Sequence, residues 1–149
     1  PSQSEGLCAL VILVVEDEAI IGMALCLILQ LTGHRICGPA ESPRRALELA
    51  RSDPPDVALV DLNLERDGDG IELARVLRDR HGTVCIFVTA QPERANEGRD
   101  AAIGVVAKPY AFGEIEKAVE YVAARRAGVE IVSVPRSLEL FTSPHRRLS

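Results

Sequence analysis

Three acidic side chains directly follow apolar runs that are typical of buried β-strands. Glu16 and Asp17 come after residues 10–15, and Asp61 comes after residues 57–60. If the two runs are neighbouring parallel strands, the three carboxylates meet at the carboxyl edge of the sheet, where open α/β sheets bind ligands. Carboxylates that are close together repel each other, and a hard cation such as Mg²⁺ relieves that repulsion. The pattern therefore predicts a magnesium site.

A hydroxyl and an ammonium group are predicted to join these acids. Thr89 follows the apolar run 84–88, and Lys108 follows the run 104–107. The cation and Lys108 would neutralise the oxygens of a phosphoryl group, and an aspartate would attack as the nucleophile. Taken singly, an acid is more often surface charge, Thr89 could serve a turn and Lys108 could be an edge lysine. Together the five residues favour phosphoryl transfer.

The apolar runs alternate with patterns that are typical of helices. This alternation predicts an α/β protein with a doubly wound parallel sheet. Residues 89–104 are rich in Glu, Arg and Asn and predict no clear helix. The predicted strands are residues 10–15, 35–39, 57–60, 84–88 and 104–107, and the predicted helices are 19–31, 43–52, 70–80 and 111–126.

The first helix and the end of the chain allow more than one interpretation. Residues 19–31 are apolar on nearly all sides, which favours burial against the sheet and a neighbouring helix, with a partner surface as the alternative. Beyond Gly128 the pattern changes. Residues 129–134 could pair briefly as a strand, and residues 135–149 are polar and predict a mobile tail.

Length and charge narrow the classes of protein. The chain has 149 residues, 47% of them hydrophobic, so we expect one core, with too few residues after Gly128 for an output domain. A net charge of −5 argues against a nucleic-acid partner. Cys8, Cys26, Cys37 and Cys85 lack the spacing of a zinc site and are interpreted as reduced core residues.

A membrane-inserted protein is not expected. Two apolar runs near the beginning are separated by the acidic residues 16–18, so neither reaches the ~20 residues that a spanning helix needs. The first ten residues lack the positive charge of a signal peptide. The sequence therefore predicts a cytoplasmic location.

The receiver domains of two-component response regulators resemble this chain over about residues 10–126. The resemblance is carried, in order, by VILVVEDE, VALVDLNL, DGDGIELARVLR, IFVTA and VVAKPY. It implies a flavodoxin-like (βα)5 fold with a five-stranded parallel sheet of order 2-1-3-4-5, a domain at residues 8–127 and a tail at 128–149. It also implies a single-domain response regulator, which is either a phosphorylation-controlled switch that signals through protein–protein binding or a phosphoryl shuttle. Such a domain assists its own phosphorylation and dephosphorylation, without being an enzyme for another substrate.

The resemblance assigns roles to the acidic residues. Asp61 is similar to the phosphoacceptor, which takes the phosphoryl group from a histidine kinase or a phosphotransfer protein. Glu16 and Asp17 look like the acidic pair that holds Mg²⁺, together with Asp61 and the backbone carbonyl of Asn63.

Thr89 is similar to the hydroxyl residue that moves onto the phosphoryl oxygens, and Lys108 to the lysine that pairs with them. The resemblance also implies a cis peptide bond between Lys108 and Pro109. Most receivers carry an aromatic switch residue where this chain has Val105, so we expect the switch to lie in the backbone between residues 89 and 104. The stand-alone "FAT GUY" receivers also lack the aromatic residue. Residues 87–90 of this chain approximately match their Phe-Ala-Thr-Gly motif.

Two other functions and a homodimer are left open. Acidic or amide residues from Asp61 to Glu72 fall at the ligand positions of a calcium-binding loop, but Arg66 stands where that loop needs glycine, and residues 53–55 cannot form its entering helix. The domain could also be a docking module that works without phosphorylation. Every position that the chemistry requires is filled, which favours the phosphoacceptor.

Overall fold

A computed structural model of the chain describes residues 9–64, 69–129 and 133–141. Its helices and strands alternate as the sequence predicts, with most boundaries within one or two residues. The strands are β1 (Val11–Val15), β2 (Arg35–Ala40), β3 (Val57–Asp61), β4 (Val84–Thr89), β5 (Gly104–Ala107) and β6 (Leu138–Leu140), and the helices are α1 (Ala19–Gln30), α2 (Pro43–Ser52), α3 (Gly70–His81) and α4 (Phe112–Arg126).

The six strands form one sheet in the order β2-β1-β3-β4-β5-β6, and the first five are parallel. The predicted flavodoxin-like sheet of order 2-1-3-4-5 is therefore confirmed. In the register of β1 and β3, Val15 pairs with Val60. The residues that follow them, Glu16 and Asp61, consequently leave the sheet side by side.

Helices cover both faces of the sheet. On one face, α2 and α3 pack on a core that includes Phe87 of β4. On the other face, α1 and α4 pack on a core that includes Leu59 of β3. Because strands β1, β3, β4 and β5 are covered on both sides, their apolar residues need not alternate with polar ones.

Capping residues set the ends of α2 and α3. Ser42, with Pro43 after it, begins α2, and its hydroxyl accepts the Arg45 N–H at 3.2 Å. Asp69 caps α3 by accepting the Ile71 N–H at 2.9 Å. Gly82 ends α3 in the left-handed region, at φ 68°. Local sequence therefore sets these boundaries.

The predicted burial of the first helix, α1, is confirmed for one side of the helix only. Its buried residues are Gly22, Leu25, Cys26 and Leu29. The opposite side leaves four large apolar side chains in water, which we call the α1 stripe; they are Ile20, Met23, Leu27 and Leu31, at 84%, 62%, 61% and 82% exposure. A stripe of this size is typical of an interaction surface.

Between β4 and β5 lies a 3₁₀ helix, Pro92–Gly98, which we call the 3₁₀ segment. The sequence predicted no clear helix here, and the structure agrees that no α-helix forms. Ala95 and Gly98 are its buried residues. Short 3₁₀ pieces present few side chains to a core, so the segment covers only part of the sheet face.

The expected mobile tail is wrong for residues 138–141. Strand β6 pairs antiparallel with β5, and Phe141 is 5% exposed. The physical reason is that β5 would otherwise be an open edge with unpaired backbone groups. The strand predicted at residues 129–134 is not seen at Val129 or at 133–134, and residues 130–132 and 142–149 lie outside the described residues.

The described cysteines agree with the prediction that the cysteines are reduced core residues. Cys26 and Cys85 are buried, Cys37 is half-buried, all three are free, and Cys8 lies outside the described residues. Burial raises the pKa of the Cys26 thiol to about 11 and that of Cys85 to about 12, which makes these thiols poor nucleophiles. Within the described ranges, every helix is too short or too polar to cross a bilayer.

Candidate phosphoryl-transfer and metal site

Three of the predicted acids meet at the carboxyl edge of the sheet. Carboxylate oxygens of Glu16, Asp17 and Asp61 all lie within 4.8 Å of one another. Glu16 and Asp61 are each 3% exposed, and Asp17 is half-buried. Because β1 and β3 are neighbours and end in register, the backbone alone places these side chains together.

Lys108 leaves the end of β5 and reaches the same acids. Its Nζ lies 3.0 Å from Asp61 Oδ2 and 3.6 Å from Glu16 Oε1. Burial of the ammonium lowers the pKa of Lys108, but the hydrogen bond to Asp61 and the charges of Asp61 and Glu16 raise it by more. Lys108 is therefore a cation at neutral pH. The Lys108–Pro109 peptide bond is cis, as the resemblance implied.

Glu16 is a buried carboxyl group whose pKa is raised. Its pKa is raised to about 7, mainly by burial and also by the neighbouring Asp61 charge, against the opposing effects of the Glu18 N–H and Lys108. Three oxygen donors of one sign at this spacing suit a hard cation. The residues present therefore fit Mg²⁺, with Glu16, Asp17 and Asp61 as side-chain ligands.

Asn63 links the predicted acids to the predicted hydroxyl. Its backbone N–H donates to Asp61 Oδ1 at 2.8 Å, and its side-chain Oδ1 accepts the Thr89 hydroxyl at 3.1 Å. Thr89 is fully buried and also accepts the Gln91 N–H at 3.0 Å. The structure thus brings Thr89 to the site through Asn63. The backbone carbonyl of Asn63 as a metal ligand stays a prediction.

Arg94 is a residue of the site that sequence reasoning missed. From the 3₁₀ segment its Nη1 donates to the Leu62 carbonyl at 2.9 Å, and its Nη2 lies 3.9 Å from Asp69 Oδ1. The guanidinium thereby ties the 3₁₀ segment to the loop after Asp61. No spacing signal connects Arg94 with residues about thirty positions earlier, so only the tertiary structure reveals this contact.

A mainly apolar cavity of about 400 Å³ lies beside Lys108. Tyr110 lies in its wall, and burial raises the pKa of its hydroxyl to about 12. Val105, the predicted switch position, lies away from this cavity in the opposite core, at 2% exposure. The lining residues are Glu18, Ile21, Ala90, Lys108, Pro109, Tyr110 and Phe112.

The alternative calcium-binding loop is not supported where the structure describes it. Asp69 caps α3, and Glu72 lies inside α3, where Arg75 donates to it at 3.4 Å. A calcium hand needs a helix directly before its first ligand, and here the strand β3 (Val57–Asp61) ends at that position. Residues 65–68 of this stretch lie outside the described residues.

Comparison with known proteins agrees with this geometry. Residues 12–120 match the family described as the response regulator receiver domain. The chain is 32% identical over 117 residues to the transcriptional regulatory protein PdtaR of Mycobacterium tuberculosis, covering 76% of this chain and 57% of that protein. It is 36% identical over 118 residues to the KDP operon transcriptional regulatory protein KdpE of Escherichia coli, covering 77% and 51%.

Comparison with a solved structure also shows a likeness to a response regulator. The chemotaxis response regulator CheY4 of Vibrio cholerae superposes with a TM-score of 0.70 at 26% sequence identity, covering 77% of this chain and 99% of that chain. The chain spans about half the length of the curated relatives it matches.

Proposed function

The chain belongs to the family of response regulator receiver domains, and from that membership we propose that it is a phosphorylation-controlled switch with Asp61 as phosphoacceptor. The observation that carries this proposal is the position of Asp61, at the end of β3, next to two further acids and 3.0 Å from the Lys108 ammonium. The proposed domain covers residues 8–127, to which β6 adds an edge strand.

The proposed reaction moves a phosphoryl group from a histidine to Asp61. A carboxylate oxygen of Asp61 attacks the phosphorus, a P–O bond forms and the P–N bond breaks. The imidazole leaves with the electron pair of that bond and takes up a proton. When bound, Mg²⁺ would supply positive charge against the phosphoryl oxygens.

Lys108 and Thr89 complete the site in this proposal. Lys108, held as a cation by its two acidic neighbours, pairs with a phosphoryl oxygen after transfer. Thr89 gives up its hydrogen bond to Asn63 and donates to another phosphoryl oxygen. The domain in this way assists its own phosphorylation and dephosphorylation and acts on no separate substrate.

The phosphodonor is proposed to be a histidine kinase or a phosphotransfer protein that docks on the α1 stripe. Helix α1 begins two residues after Asp17, so a protein bound to the stripe brings its histidine to the acids. Ile21 of the same helix lines the apolar cavity beside Lys108. Both features offer apolar surface next to the reacting carboxylate.

Output is proposed to run through protein binding on the face made by the 3₁₀ segment, β5 and α4. Phosphorylation replaces the single negative charge of the Asp61 carboxylate with a phosphoryl group of about −2 charge beside Lys108 and Thr89, and both residues sit at the ends of strands that lead into this face. A cytoplasmic location, where histidine kinases present their phosphohistidine, belongs to the same proposal.

Intact mass after incubation with acetyl phosphate and Mg²⁺ tests the proposal. We expect wild type to gain the mass of one HPO₃ group, and Asp61→Asn to gain none while keeping its circular dichroism spectrum. Asp79→Asn is the matched control, because Asp79 is an exposed acid on α3 that pairs with Arg78 at 2.9 Å. An unchanged wild-type mass would favour a docking module that works without phosphorylation.

A further inference from the structure

Strand β6 closes the edge of β5 with backbone hydrogen bonds. Val105 pairs with Glu139 and Gly104 with Leu140, and the Phe141 N–H donates to the Ile103 carbonyl at 2.9 Å. A Cβ at Gly104 would collide with the Glu139 carbonyl oxygen. The approach of β6 therefore depends on glycine at this position.

Phe141 anchors β6 in the core on the side of the 3₁₀ segment. Its ring centroid lies 6.2 Å from that of Phe87, and the Arg99 guanidinium lies 5.0 Å above it. A Cβ on Gly98, at the end of the 3₁₀ segment, would lie 2.9 Å from two atoms of the Phe87 ring. Phe87 therefore touches the 3₁₀ segment on one side and β6 on another.

The 3₁₀ segment is in turn attached to the phosphorylation site. The Gln91 N–H, just before the segment, donates to the Thr89 hydroxyl, and Arg94 donates to the Leu62 carbonyl in the loop after Asp61. If Thr89 donates to a phosphoryl group, its oxygen moves toward Asp61. The Gln91 N–H then loses its acceptor, and the 3₁₀ segment must shift. This segment contacts Phe87, and Arg99 follows it directly in the chain.

Strand β6 is well suited to respond to such an adjustment. It has three residues and lies at the edge of the sheet, and elements with few buried contacts open locally at a lower free energy than the core. Both ring contacts of Phe141 are made by residues that follow or touch the 3₁₀ segment. A shift of the segment therefore weakens the anchor of β6 directly.

We propose that β6 is an intramolecular cover, anchored by Phe141, that occupies the edge of β5 in the resting chain and is released when Asp61 is phosphorylated. The inference rests on the proposed function. It assigns the switch to the C-terminal strand and makes the β5 part of the output face accessible only after phosphorylation. By linkage, weakening the anchor should in turn favour the phosphorylated conformation.

Amide hydrogen exchange of β6 in the full chain tests the cover. With Mg²⁺ alone, those amides of residues 138–141 that donate to the β5 edge, such as Phe141 to the Ile103 carbonyl, should be protected, and in the acetyl-phosphate-treated protein they should exchange at least about tenfold faster. The amides of β3, in the centre of the sheet, should be unchanged and serve as an internal reference.

Phe141→Ala should release β6 from the edge of β5 even without phosphorylation. We expect fast exchange of β6 without phosphorylation and several-fold tighter binding of beryllofluoride with Mg²⁺, a stable stand-in for the phosphoryl group. Val129→Ala is the control, because Val129 is also apolar but lies after the end of α4, where its side chain is 45% exposed. It should leave beryllofluoride affinity unchanged.

The outcomes separate the two proposals. A phosphorylated wild type whose β6 amides keep their protection overturns the cover and leaves the phosphoacceptor intact. Equal beryllofluoride affinity of wild type and Phe141→Ala also overturns it. A wild type that gains no mass with acetyl phosphate overturns both.

Discussion

At the scale of single residues, the site balances three negative groups with one positive group. Lys108 lies between Asp61 and Glu16 at 3.0 and 3.6 Å, and Glu16 nevertheless has its pKa raised to about 7, first by burial. A cation and a phosphoryl group would redistribute this charge. Lys108 is therefore free to exchange a carboxylate partner for a phosphoryl oxygen without leaving the site.

Replacing Lys108 with alanine should separate phosphorylation from signalling. We expect Lys108→Ala to gain one HPO₃ group from acetyl phosphate with Mg²⁺, because the acids and Asp61 remain. The conformational response should be lost, because no ammonium draws the end of β5 toward the phosphoryl oxygens. Intact mass measures the first effect, and hydrogen exchange of the 3₁₀ segment before and after phosphorylation measures the second.

Lys117→Ala provides the control for loss of a lysine. Lys117 lies on α4 and is exposed, so its removal should leave both readouts as in wild type. A normal exchange response in phosphorylated Lys108→Ala would contradict the role given to this lysine.

The sequence could predict the positions of some residues of the site but not the contacts of others. Glu16, Asp17 and Asp61 were predictable because each follows an apolar strand, and strands of a parallel sheet end at a common edge. Thr89 and Lys108 follow the same rule. The side-chain contacts of Asn63 and Arg94 were not predictable, because they depend on loop conformation, which carries no periodic signal.

At the scale of elements, the 3₁₀ segment depends on close packing rather than on helix length. A Cβ at Gly98 would lie 2.8 Å from Ile71 and 2.9 Å from the Phe87 ring, and both neighbours are buried. The segment can approach the core this closely only because residue 98 has no side chain.

Gly98→Ala should therefore destabilise the fold by about 1–3 kcal/mol, the usual cost of inserting a methyl group into a packed core. Gly113→Ala is the matched control. Gly113 lies in the first turn of α4, and the nearest atom to an added Cβ is the flexible Glu116 carboxylate at 4.0 Å. Alanine there should be neutral or stabilising by up to about 1 kcal/mol. Urea unfolding of both variants provides the measurement, and equal midpoints would contradict the packing argument.

The turn after the 3₁₀ segment is held to α3 by an ion-pair cluster around Asp100. Arg75 Nε donates to its Oδ2 at 2.9 Å and Arg75 Nη2 to its Oδ1 at 3.1 Å. Arg78 adds a bond to the Asp100 carbonyl at 2.6 Å. The hydrogen bond from Arg75 lowers the pKa of Asp100 to about 2.

This lowered pKa gives a defined dependence of stability on pH. Because the folded pKa lies below the unfolded value, the contribution of Asp100 is present above about pH 4 and is lost as the pH falls toward about 2. Since the side chain is 53% exposed, solvent screening limits it to under about 1 kcal/mol. The difference in unfolding free energy between wild type and Asp100→Asn should shrink over this window, and a constant difference would contradict it.

Elements were predictable where one strong local pattern decides them. The parallel strands and α2 to α4 combine apolar periodicity with capping residues such as Ser42 and Gly82, so their positions follow from sequence. Strand β6 does not, because Leu138–Leu140 is short and is surrounded by polar residues and proline. Its strand conformation results from the unpaired edge of β5, which is a property of the sheet.

At the scale of the whole molecule, the acidic site links metal binding to folding. Glu16, Asp17 and Asp61 come from β1 and β3, which meet only in the folded sheet. An unfolded chain holds these carboxylates far apart and binds Mg²⁺ weakly. Any ion that binds the native site must therefore raise the free energy of unfolding of the entire domain.

Thermal unfolding with and without Mg²⁺ should show this linkage. At a Mg²⁺ concentration about ten times the Kd, the gain is about 1.4 kcal/mol, which raises Tm by about 3–6 °C for a domain of this size. Asp17→Asn should lose most of the increase, because it removes one of three carboxylate ligands. Glu72→Gln should keep it, since Glu72 lies on α3 beside Arg75, whereas a calcium-type loop from Asp61 to Glu72 would need its carboxylate. A Tm increase that survives Asp17→Asn but not Glu72→Gln would move the metal away from the sheet edge, and the phosphoacceptor role of Asp61 would lose its electrostatic basis.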